Sequence, residues 1–352
     1  MYFTEVFMSE LKRDFGAIST GQVTSIYTIG SDKIKAEITD LGATLVSLYV
    51  YDKDDKKRDV VLGYDEAAPY ETSKGFLGTV VGRSANRTKD AEILIGGKRY
   101  LLGKVIGEHN LHSGPDVWSK RLYTVDSVTE NEIKLSLLSP DLDQGFPGEL
   151  EFQVTYRIDG NRLEIEYKGI CDKDTLLNPT NHSYFNLNGD ANGDVLSHFV
   201  RINAKSYTEL DDELIPTGRL IEVENTAYDF TERHQIGDFI TPGGDDYGKI
   251  NTYDINFAID RDDFGLVASA YSSDSGILMN VYTDLPGMQF YIPPNLNRQG
   301  KRGAFYGEYS SMCFETQFFP DAIHNPNFKS PILRAEEQFF SKTVYEFETI
   351  KV

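Results

Sequence analysis

The sequence predicts an all-β protein built as one large antiparallel β-sandwich. Tyrosine and phenylalanine are abundant, with 21 of each in 352 residues, and aromatic side chains favour the pleated, half-buried surface of a sheet. Runs of strand-forming residues recur between turn residues along the chain. Helical periodicity is scarce, and strands do not alternate with helices as they do in parallel sheets. These three features together favour a sandwich of antiparallel strands.

The individual elements follow from local patterns. One short helical turn is expected in GYDEAAPYET, where Pro69 limits its length. A hairpin in LIGGKRY turns at the two glycines of residues 96–97, and the clearest hairpin spans residues 150–169 and turns at DGN, residues 159–161. Further strand-like runs are DKIKAEITDLGATLVSLYVYD, EIKLSLLSP, GILMNVYTDLPGMQFYIPP and TVYEFETIKV.

Length and charge limit what the protein can be. A chain of 352 residues suffices for one large β domain. We expect that domain in residues 15–352, after a poorly ordered extension of residues 1–14 in which Met1 and Met8 are alternative starts. A net charge of −20 repels nucleic acid and anionic lipid. Neither is therefore an expected partner.

Cysteine usage and hydropathy bear on the compartment. Cys171 and Cys313 form no CxxC motif or Cys/His cluster, which argues against a zinc site and favours two buried thiols over a disulfide. The N-terminus lacks the basic region of a signal peptide, and no apolar stretch approaches the length of a transmembrane helix. We therefore expect a cytoplasmic protein, either a monomer or a homodimer.

The stretch NPTNHSYFNLNGD, residues 178–190, mixes strand and turn signals. Alternation along a strand would place His182 on one face with Tyr184 and three polar neighbours. Solvent faces elsewhere in this chain carry Lys, Glu and Asp, so this face is better suited to hydrogen-bonding an uncharged ligand. The alternative is a turn that the Asn and Ser side chains stabilise.

Three other strand-like runs carry polar residues on a single face. In SSMCFETQFFPDAIH, alternation puts Glu315 on the face of Cys313. Cysteine is normally buried, so an enclosed face would raise the pKa of Glu315 and suit it to act as a general base. Asp254 in NTYDINFAID and Gln289 in GMQFYIPP likewise lie opposite apolar faces. Exposure to solvent is the alternative for each of these residues.

Two loops add further candidates. GTVVGRSANRT places Asn86 and Arg87 after an apolar run, and an arginine can hold neighbouring oxygens bidentately or form a surface salt bridge. In GEHNLHSGPDVW, His112 suits a site histidine better than a metal ligand, since no third ligand lies nearby. Trp118 is either a ring against a ligand or part of the core. No nucleotide, phosphate or metalloprotease motif occurs, and the set of polar groups and rings suits a sugar.

Taken in order, eight motifs resemble the galactose mutarotase (aldose 1-epimerase) family. They are GRSANR, NLHSGP, SPDLDQGFPGELEFQVTY, NPTNHSYFNLNGD, ELIPTGRL, YDINFAI, GMQFY and FETQFFPDAIHNPNF. NHSYFNL and ETQxxPDAxxxPxF are the most specific of them. The resemblance implies a large antiparallel β-supersandwich with an open sugar-binding cleft. It also implies interconversion of the α- and β-anomers of aldohexoses such as galactose and glucose, without cofactor or metal.

The resemblance also implies roles, carried over motif by motif. Glu315 of ETQ is expected to be the general base, and His182 of NHSYFNL the general acid. His112 of NLHSGP is implied as a second site histidine. The implied ligands of the sugar hydroxyls are Arg87, Asp254 and Gln289, with Asn86 beside Arg87.

Two departures from the family pattern bear on the preferred sugar and leave the reaction unchanged. They are Val117-Trp118, where relatives often have Gly plus an aromatic residue, and Ile255, where many have His. Two other function classes stay open at this point: a non-catalytic carbohydrate-binding member of the fold, and a glycoside hydrolase with Asp254 and Glu315 as its carboxylates. Alternative epimerase substrates are a reducing disaccharide such as maltose, or a hexose 6-phosphate. The phosphate would need extra cationic residues at the rim of the site.

Overall fold

The computed structural model describes residues 11–73, 75–241, 250–261 and 263–351. Three large antiparallel sheets dominate these ranges, and the predicted all-β fold class is confirmed. The predicted extension, residues 1–14, lies largely outside the described residues. Its last residues join the first strand, which begins at Lys12 because the backbone there pairs with the following strand. No helix of the described part is long and apolar enough to cross a membrane.

The strands in chain order are β1 (Lys12–Ala17), β2 (Val23–Gly30), β3 (Lys35–Thr39), β4 (Thr44–Tyr51), β5 (Lys57–Asp59), β6 (Val80–Val81), β7 (Arg87–Thr88), β8 (Glu92–Ile95), β9 (Lys98–Leu101), β10 (Asn110–Leu111), β11 (Thr124–Val128), β12 (Glu132–Ser139), β13 (Leu150–Asp159), β14 (Arg162–Cys171), β15 (Thr175–Leu176), β16 (Thr180–Asn181), β17 (Phe199–Ile202), β18 (Ser206–Leu210), β19 (Pro216–Glu222), β20 (His234–Gln235), β21 (Asp254–Ala258), β22 (Gly265–Tyr271), β23 (Ile277–Thr283), β24 (Gly287–Tyr291), β25 (Arg298–Gln299), β26 (Phe305–Tyr306), β27 (Cys313–Gln317), β28 (Ile332–Leu333) and β29 (Gln338–Thr349). The α-helix α1 covers Ala67–Thr72. Short 3₁₀ turns cover Lys89–Ala91, Trp118–Lys120, Asp143–Gly145, Ile236–Asp238, Lys301–Gly303 and Ala322–His324.

The largest sheet has nine strands in the order β11-β12-β13-β14-β29-β23-β22-β17-β20. Two five-stranded sheets accompany it, in the orders β1-β2-β3-β4-β5 and β19-β18-β21-β24-β27. The main hydrophobic core takes buried residues from all three sheets, as shown by Ile38 of β3, Ile165 of β14 and Phe290 of β24. Burying each such side chain stabilises the fold by about 1.5–3 kcal/mol, so the three sheets are held together as one sandwich.

Both predicted hairpins and the short helix are present. β13 and β14 pair over their full length and turn at residues 160–161, and β8 and β9 turn at residues 96–97. Helix α1 tolerates Pro69 in its first turn, where the missing N–H has no intrahelical partner to lose. Trp118 is a core residue, with its ring centroid 4.6 Å from that of Phe152. Ile255 also belongs to the core, so neither position contributes a wall to a binding site.

A buried arginine anchors the segment between β6 and β7. Arg83 is 1% exposed, and its guanidinium donates to six oxygens of residues 139, 140, 147, 148 and 175 at 2.8–3.1 Å. Burial lowers its pKa, and the six acceptors compensate for the lost hydration. The segment that continues to Asn86 and Arg87 is thereby fixed to the loops beside β12 and β13.

We predict that Arg83→Met lowers the free energy of unfolding by at least about 3 kcal/mol, because several buried oxygens lose their donor. Urea denaturation followed by tryptophan fluorescence measures the change. The control is Arg201→Met, at an exposed position of strand β17, where one hydrogen bond to Thr231 O is lost. A shift within about 1 kcal/mol is expected there. Equal losses in the two variants would contradict the anchoring role of Arg83.

Candidate active site

Strands β21, β24 and β27 present their polar residues on one face. Asn256 pairs with Gln289 across β21 and β24, and Gln289 pairs with Glu315 across β24 and β27. Residues in register point to the same side of a sheet, so one polar row crosses three strands. The intervening residues Phe290 and Phe314 point to the core, with ring centroids 5.1 Å apart. The polar face of Glu315 is enclosed, as predicted from the position of Cys313 on the same face of β27.

His182 lies opposite this face, just after the short strand β16. Its backbone N–H donates to Thr79 O at 3.0 Å, and its carbonyl accepts from Gly78 at 2.9 Å. Asn181 Nδ2 donates to Gly78 O and to Tyr156 OH. The segment is therefore held both by the backbone of residues 78–79 and by a core tyrosine. The imidazole stacks on Tyr184 with ring centroids 4.8 Å apart and an interplanar angle of 6°.

Glu315 and His182 form the closest acid/base pair in the site. His182 Nε2 is 3.7 Å from Glu315 Oε1, and Glu315 Oε2 has no hydrogen-bond partner among the described residues. Burial raises the pKa of Glu315 well above 4.5, and the nearby Asp254 carboxylate adds to this. Burial lowers the pKa of His182 well below 6.5, with a smaller contribution from His112. Burial therefore disfavours the charged form of both groups.

His112 and Asn86 hold each other in place. The backbone N–H of Asn86 donates to His112 Nδ1 at 3.2 Å, and the backbone N–H of His112 donates to Asn86 O at 3.0 Å. The proton of the neutral imidazole is thus on Nε2. Burial, together with the cation of Arg87, lowers the pKa of His112 to about 3, so this ring is a neutral hydrogen-bond donor near pH 7.

Asp254 and Gln289 form a second polar pair. Gln289 Nε2 donates to Asp254 Oδ1 at 2.6 Å, while Gln289 Oε1 has no hydrogen-bond partner among the described residues. The Asp254 carboxylate opens onto a cavity, yet the protein atoms around it raise its pKa by desolvation, opposed by Gln289 and by Arg87. The pair thus offers both an acceptor and a donor to a ligand.

A cavity of about 330 Å³ joins these groups. A volume of about 300 Å³ or more is typical of small-molecule sites. Its wall includes all seven sequence-predicted site residues, Asn86, Arg87, His112, His182, Asp254, Gln289 and Glu315. Residues that are far apart in the chain and that the sequence predicted for the site therefore meet in one cavity. Their individual roles stay predictions.

Four residues of the cavity wall have left-handed backbone conformations without being glycine. They are Phe76 (φ 53°), Asn86 (φ 61°), His112 (φ 52°) and Leu214 (φ 61°). Such conformations cost about 1–3 kcal/mol each and concentrate at functional sites. Tertiary contacts of the cavity wall therefore have to hold these four residues in unfavourable conformations.

Several wall residues were not selected from the sequence. Phe76 lies over both histidines, with its ring centroid 4.8 Å from that of His112 and 6.1 Å from that of His182. Leu214 and Arg298 also line the cavity. The ELIPTGRL motif, which contains Leu214, was a sequence signal for that part of the wall. Phe76 and Arg298 belong to segments without a recognisable motif.

His182, Cys313 and Glu315 are the three side chains that could approach a metal ion together. Their potential ligand atoms lie within 4.8 Å of one another, and no other such group occurs in the described ranges. Burial raises the pKa of the Cys313 thiol well above its usual value, which disfavours the thiolate that a metal requires. The sequence prediction that no metal is needed stays a prediction.

Comparison with known proteins agrees with this arrangement. The family model described as aldose 1-epimerase matches residues 25–346. Galactose mutarotase of Mus musculus is 36% identical over 337 residues, which cover 95% of this chain and 97% of that protein. Aldose 1-epimerase of Escherichia coli (strain K12) is 34% identical over 317 residues, which cover 88% and 91%. The crystal structure of an aldose epimerase homologue from C. elegans has a TM-score of 0.87 and 30% identity, and covers 93% of this chain and 99% of its own.

The fold belongs to the class of large antiparallel β-sandwiches with an open polar cavity. Within that class, the chain belongs to the aldose 1-epimerase family. The family predicted from the order of the motifs is thus confirmed.

We predict that His112 and His182 stay neutral between pH 8 and pH 5, because their pKa values are lowered by burial. His324 is the internal control, since its hydrogen bond with Asp321 raises its pKa above 6.5. It should gain a proton as the pH falls through that range. Histidine ring ¹⁵N shifts measured by NMR against pH test this, and titration of His182 near pH 6.5 would contradict it.

Proposed function

We propose that this protein is an aldose 1-epimerase that interconverts the α- and β-anomers of aldohexoses such as galactose and glucose. The observation that supports this most directly is the buried pair Glu315 and His182, 3.7 Å apart in the wall of the cavity. Anomer exchange needs one group that removes a proton and another that delivers one, at neighbouring atoms of the sugar. The pair offers both groups at the required proximity.

Ring opening uses the two groups together. Glu315 removes the proton from the C1 hydroxyl, and His182 delivers a proton to the ring oxygen, so the C1–ring oxygen bond breaks and an aldehyde forms. The aldehyde rotates about the C1–C2 bond and exposes its other face. His182 then removes the proton from the attacking hydroxyl, Glu315 returns a proton to the new C1 hydroxyl, and the opposite anomer results.

The pair carries a single proton through this cycle. In the free site Glu315 holds the proton and His182 is neutral. The proton passes to His182 before ring opening, and Glu315 takes up the C1 proton as the ring opens, which leaves both groups uncharged while the sugar is open. Burial favours this uncharged arrangement, as the directions of the two pKa shifts indicate. Proton transfer during ring opening therefore removes charge from a desolvated site.

The other polar residues hold the sugar while C1 turns. In this proposal Arg87, Asp254 and Gln289 bind hydroxyls that do not react, and Asn86 stands beside Arg87. Among the described residues, Arg87 forms no ion pair with a carboxylate and Gln289 Oε1 has no hydrogen-bond partner, so these groups are available to a ligand. His112 offers its Nε2 proton to a sugar oxygen, because its Nδ1 accepts from Asn86.

The names of the relatives indicate which sugar to test first. The relatives named galactose mutarotase make galactose the first substrate, with glucose and the reducing disaccharide maltose as alternatives. We further propose that the protein acts in the cytoplasm, as a monomer or homodimer, without cofactor and without a nucleic-acid or membrane partner. The net charge of −20 supports the last of these points.

We predict that Glu315→Gln lowers kcat about 10²–10⁴-fold with little change in KM, since an amide cannot take up the C1 proton. Polarimetry on freshly dissolved α-D-galactose measures the rate after subtraction of the spontaneous one. Glu151→Gln, at an exposed position of strand β13, is the matched control and should behave as wild type. Near-wild-type turnover in Glu315→Gln would remove Glu315 from the mechanism. Release of nitrophenol from an aryl-galactoside would instead indicate a glycosidase.

The pH dependence of kcat/KM tests the shared proton. An isolated general acid with the usual histidine pKa of 6.5 would lose activity as the pH rises through that value. Here the pKa of Glu315 is raised and that of His182 is lowered, so the pair keeps one proton between those two values. We expect kcat/KM to vary by less than about threefold from pH 6 to pH 8. A tenfold fall centred near pH 6.5 would mean that His182 titrates alone.

A further inference from the structure

Arg298 is a cation in the cavity wall that the proposed reaction does not use. Its Nη1 donates to Tyr64 OH at 3.2 Å and to Ser73 Oγ at 2.7 Å, and its Nε donates to Leu296 O at 3.2 Å. All three acceptors are uncharged. Within the described ranges, Nη2 has no hydrogen-bond partner and no carboxylate oxygen lies within 4.0 Å of the guanidinium. The side chain is therefore positioned without being neutralised.

Most other arginines of this chain are neutralised by carboxylates. Ten of them form ion pairs in the part of the chain that the structure describes. Arg87 also lines the cavity and has no such pair there. The cavity wall has two carboxyl groups, Asp254 and Glu315. Asp254 accepts from Gln289 and forms no ion pair with either arginine, and Glu315 has its pKa raised and favours its uncharged form. A chain with a net charge of −20 thus keeps two unpaired guanidinium groups in one cavity.

We propose that Arg298 forms an anion-binding subsite, and that the enzyme accepts aldoses with a carboxylate or phosphate group on C6. A half-buried charge without a counter-charge is costly, and the planar fork of arginine matches the oxygens of both groups. The proposal rests on the proposed function, because that function orients the sugar in the cavity. It names uronic acids and aldose 6-phosphates as a substrate class.

The orientation follows from the position of His182. The ring oxygen is bonded to C1 and to C5, and C5 carries C6, so C6 is the exocyclic carbon on the far side of the ring oxygen from C1. Tyr184 stacks on His182 at 4.8 Å, and its hydroxyl donates to Gly75 O at 2.6 Å. A Cβ atom on Gly75 would lie 2.6 Å from Arg298 Nη1. Arg298 therefore borders the side of His182 that Tyr184 covers, and the proposal places C6 on that side of the ring oxygen.

The test compares anomer exchange of galactose, galacturonate and galactose 6-phosphate by magnetisation-transfer NMR. Spontaneous rates are subtracted for each sugar, and wild type is measured beside Arg298→Gln and Arg298→Lys. We expect wild type to accelerate at least one acidic sugar. Arg298→Gln should lower kcat/KM for that sugar about tenfold or more relative to galactose. Arg298→Lys should retain part of the preference, because it keeps the charge and loses the fork.

Arg201→Gln is the control for charge alone, since Arg201 also lacks an ion pair among the described residues and is an exposed residue of β17. An effect confined to galacturonate assigns a carboxylate to the subsite, and one confined to the 6-phosphate assigns a phosphate. Equal losses for galactose and the acidic sugars in Arg298→Gln, or no wild-type rate on either acidic sugar, overturn the subsite. Inactivity on galactose as well contradicts the proposed function. In that case, calorimetry measures the affinity of wild type and of Arg298→Gln for each acidic sugar and tests the subsite separately from catalysis. Equal affinities of the two proteins overturn the subsite.

Discussion

In an antiparallel sheet, a slip of one residue between neighbouring strands turns every side chain to the opposite face. The pairing of β21, β24 and β27 is therefore the constraint on which the rest of the site depends. Phe290 and Phe314 pack together on the core side, so the burial of aromatic rings fixes the register. Gln289 and Glu315 then have to lie side by side on the cavity side. The polar row is a consequence of the core.

The same enclosure supplies the acid/base chemistry. Glu315 and His182 are 2% and 5% exposed, and burial is the largest cause of both pKa shifts. In the part of the chain that the structure describes, neither group forms an ion pair with a third residue, so the enclosure of the cavity and the packing of Tyr184 against His182 control both pKa values. A substitution that lets water reach the pair would return both pKa values towards their ordinary range.

Strand alternation put Glu315, Asp254 and Gln289 on the faces opposite their apolar neighbours, because all three lie on regular strands. It left exposure to solvent open for each of them, and the family motifs assigned them to a site. His182 follows a strand of only two residues, so alternation left a turn as an equal alternative and the family motif decided. For Trp118, local sequence gave no decision. Its neighbourhood in the sequence could not distinguish a ligand wall from the core, since its partner Phe152 is far away in the chain.

The loop residues of the cavity depend on tertiary contacts that local sequence does not reveal. Asn86 and His112 hold left-handed conformations because each bonds to the backbone of the other. Arg298 is held by Tyr64 and Ser73 from a distant segment. The acid/base pair thus rests on packed strands or on segments bonded to them, whereas the outer wall is built from loops. Loops tolerate substitution better than packed strands do, so the reaction can stay constant while the group bound beyond the ring oxygen changes.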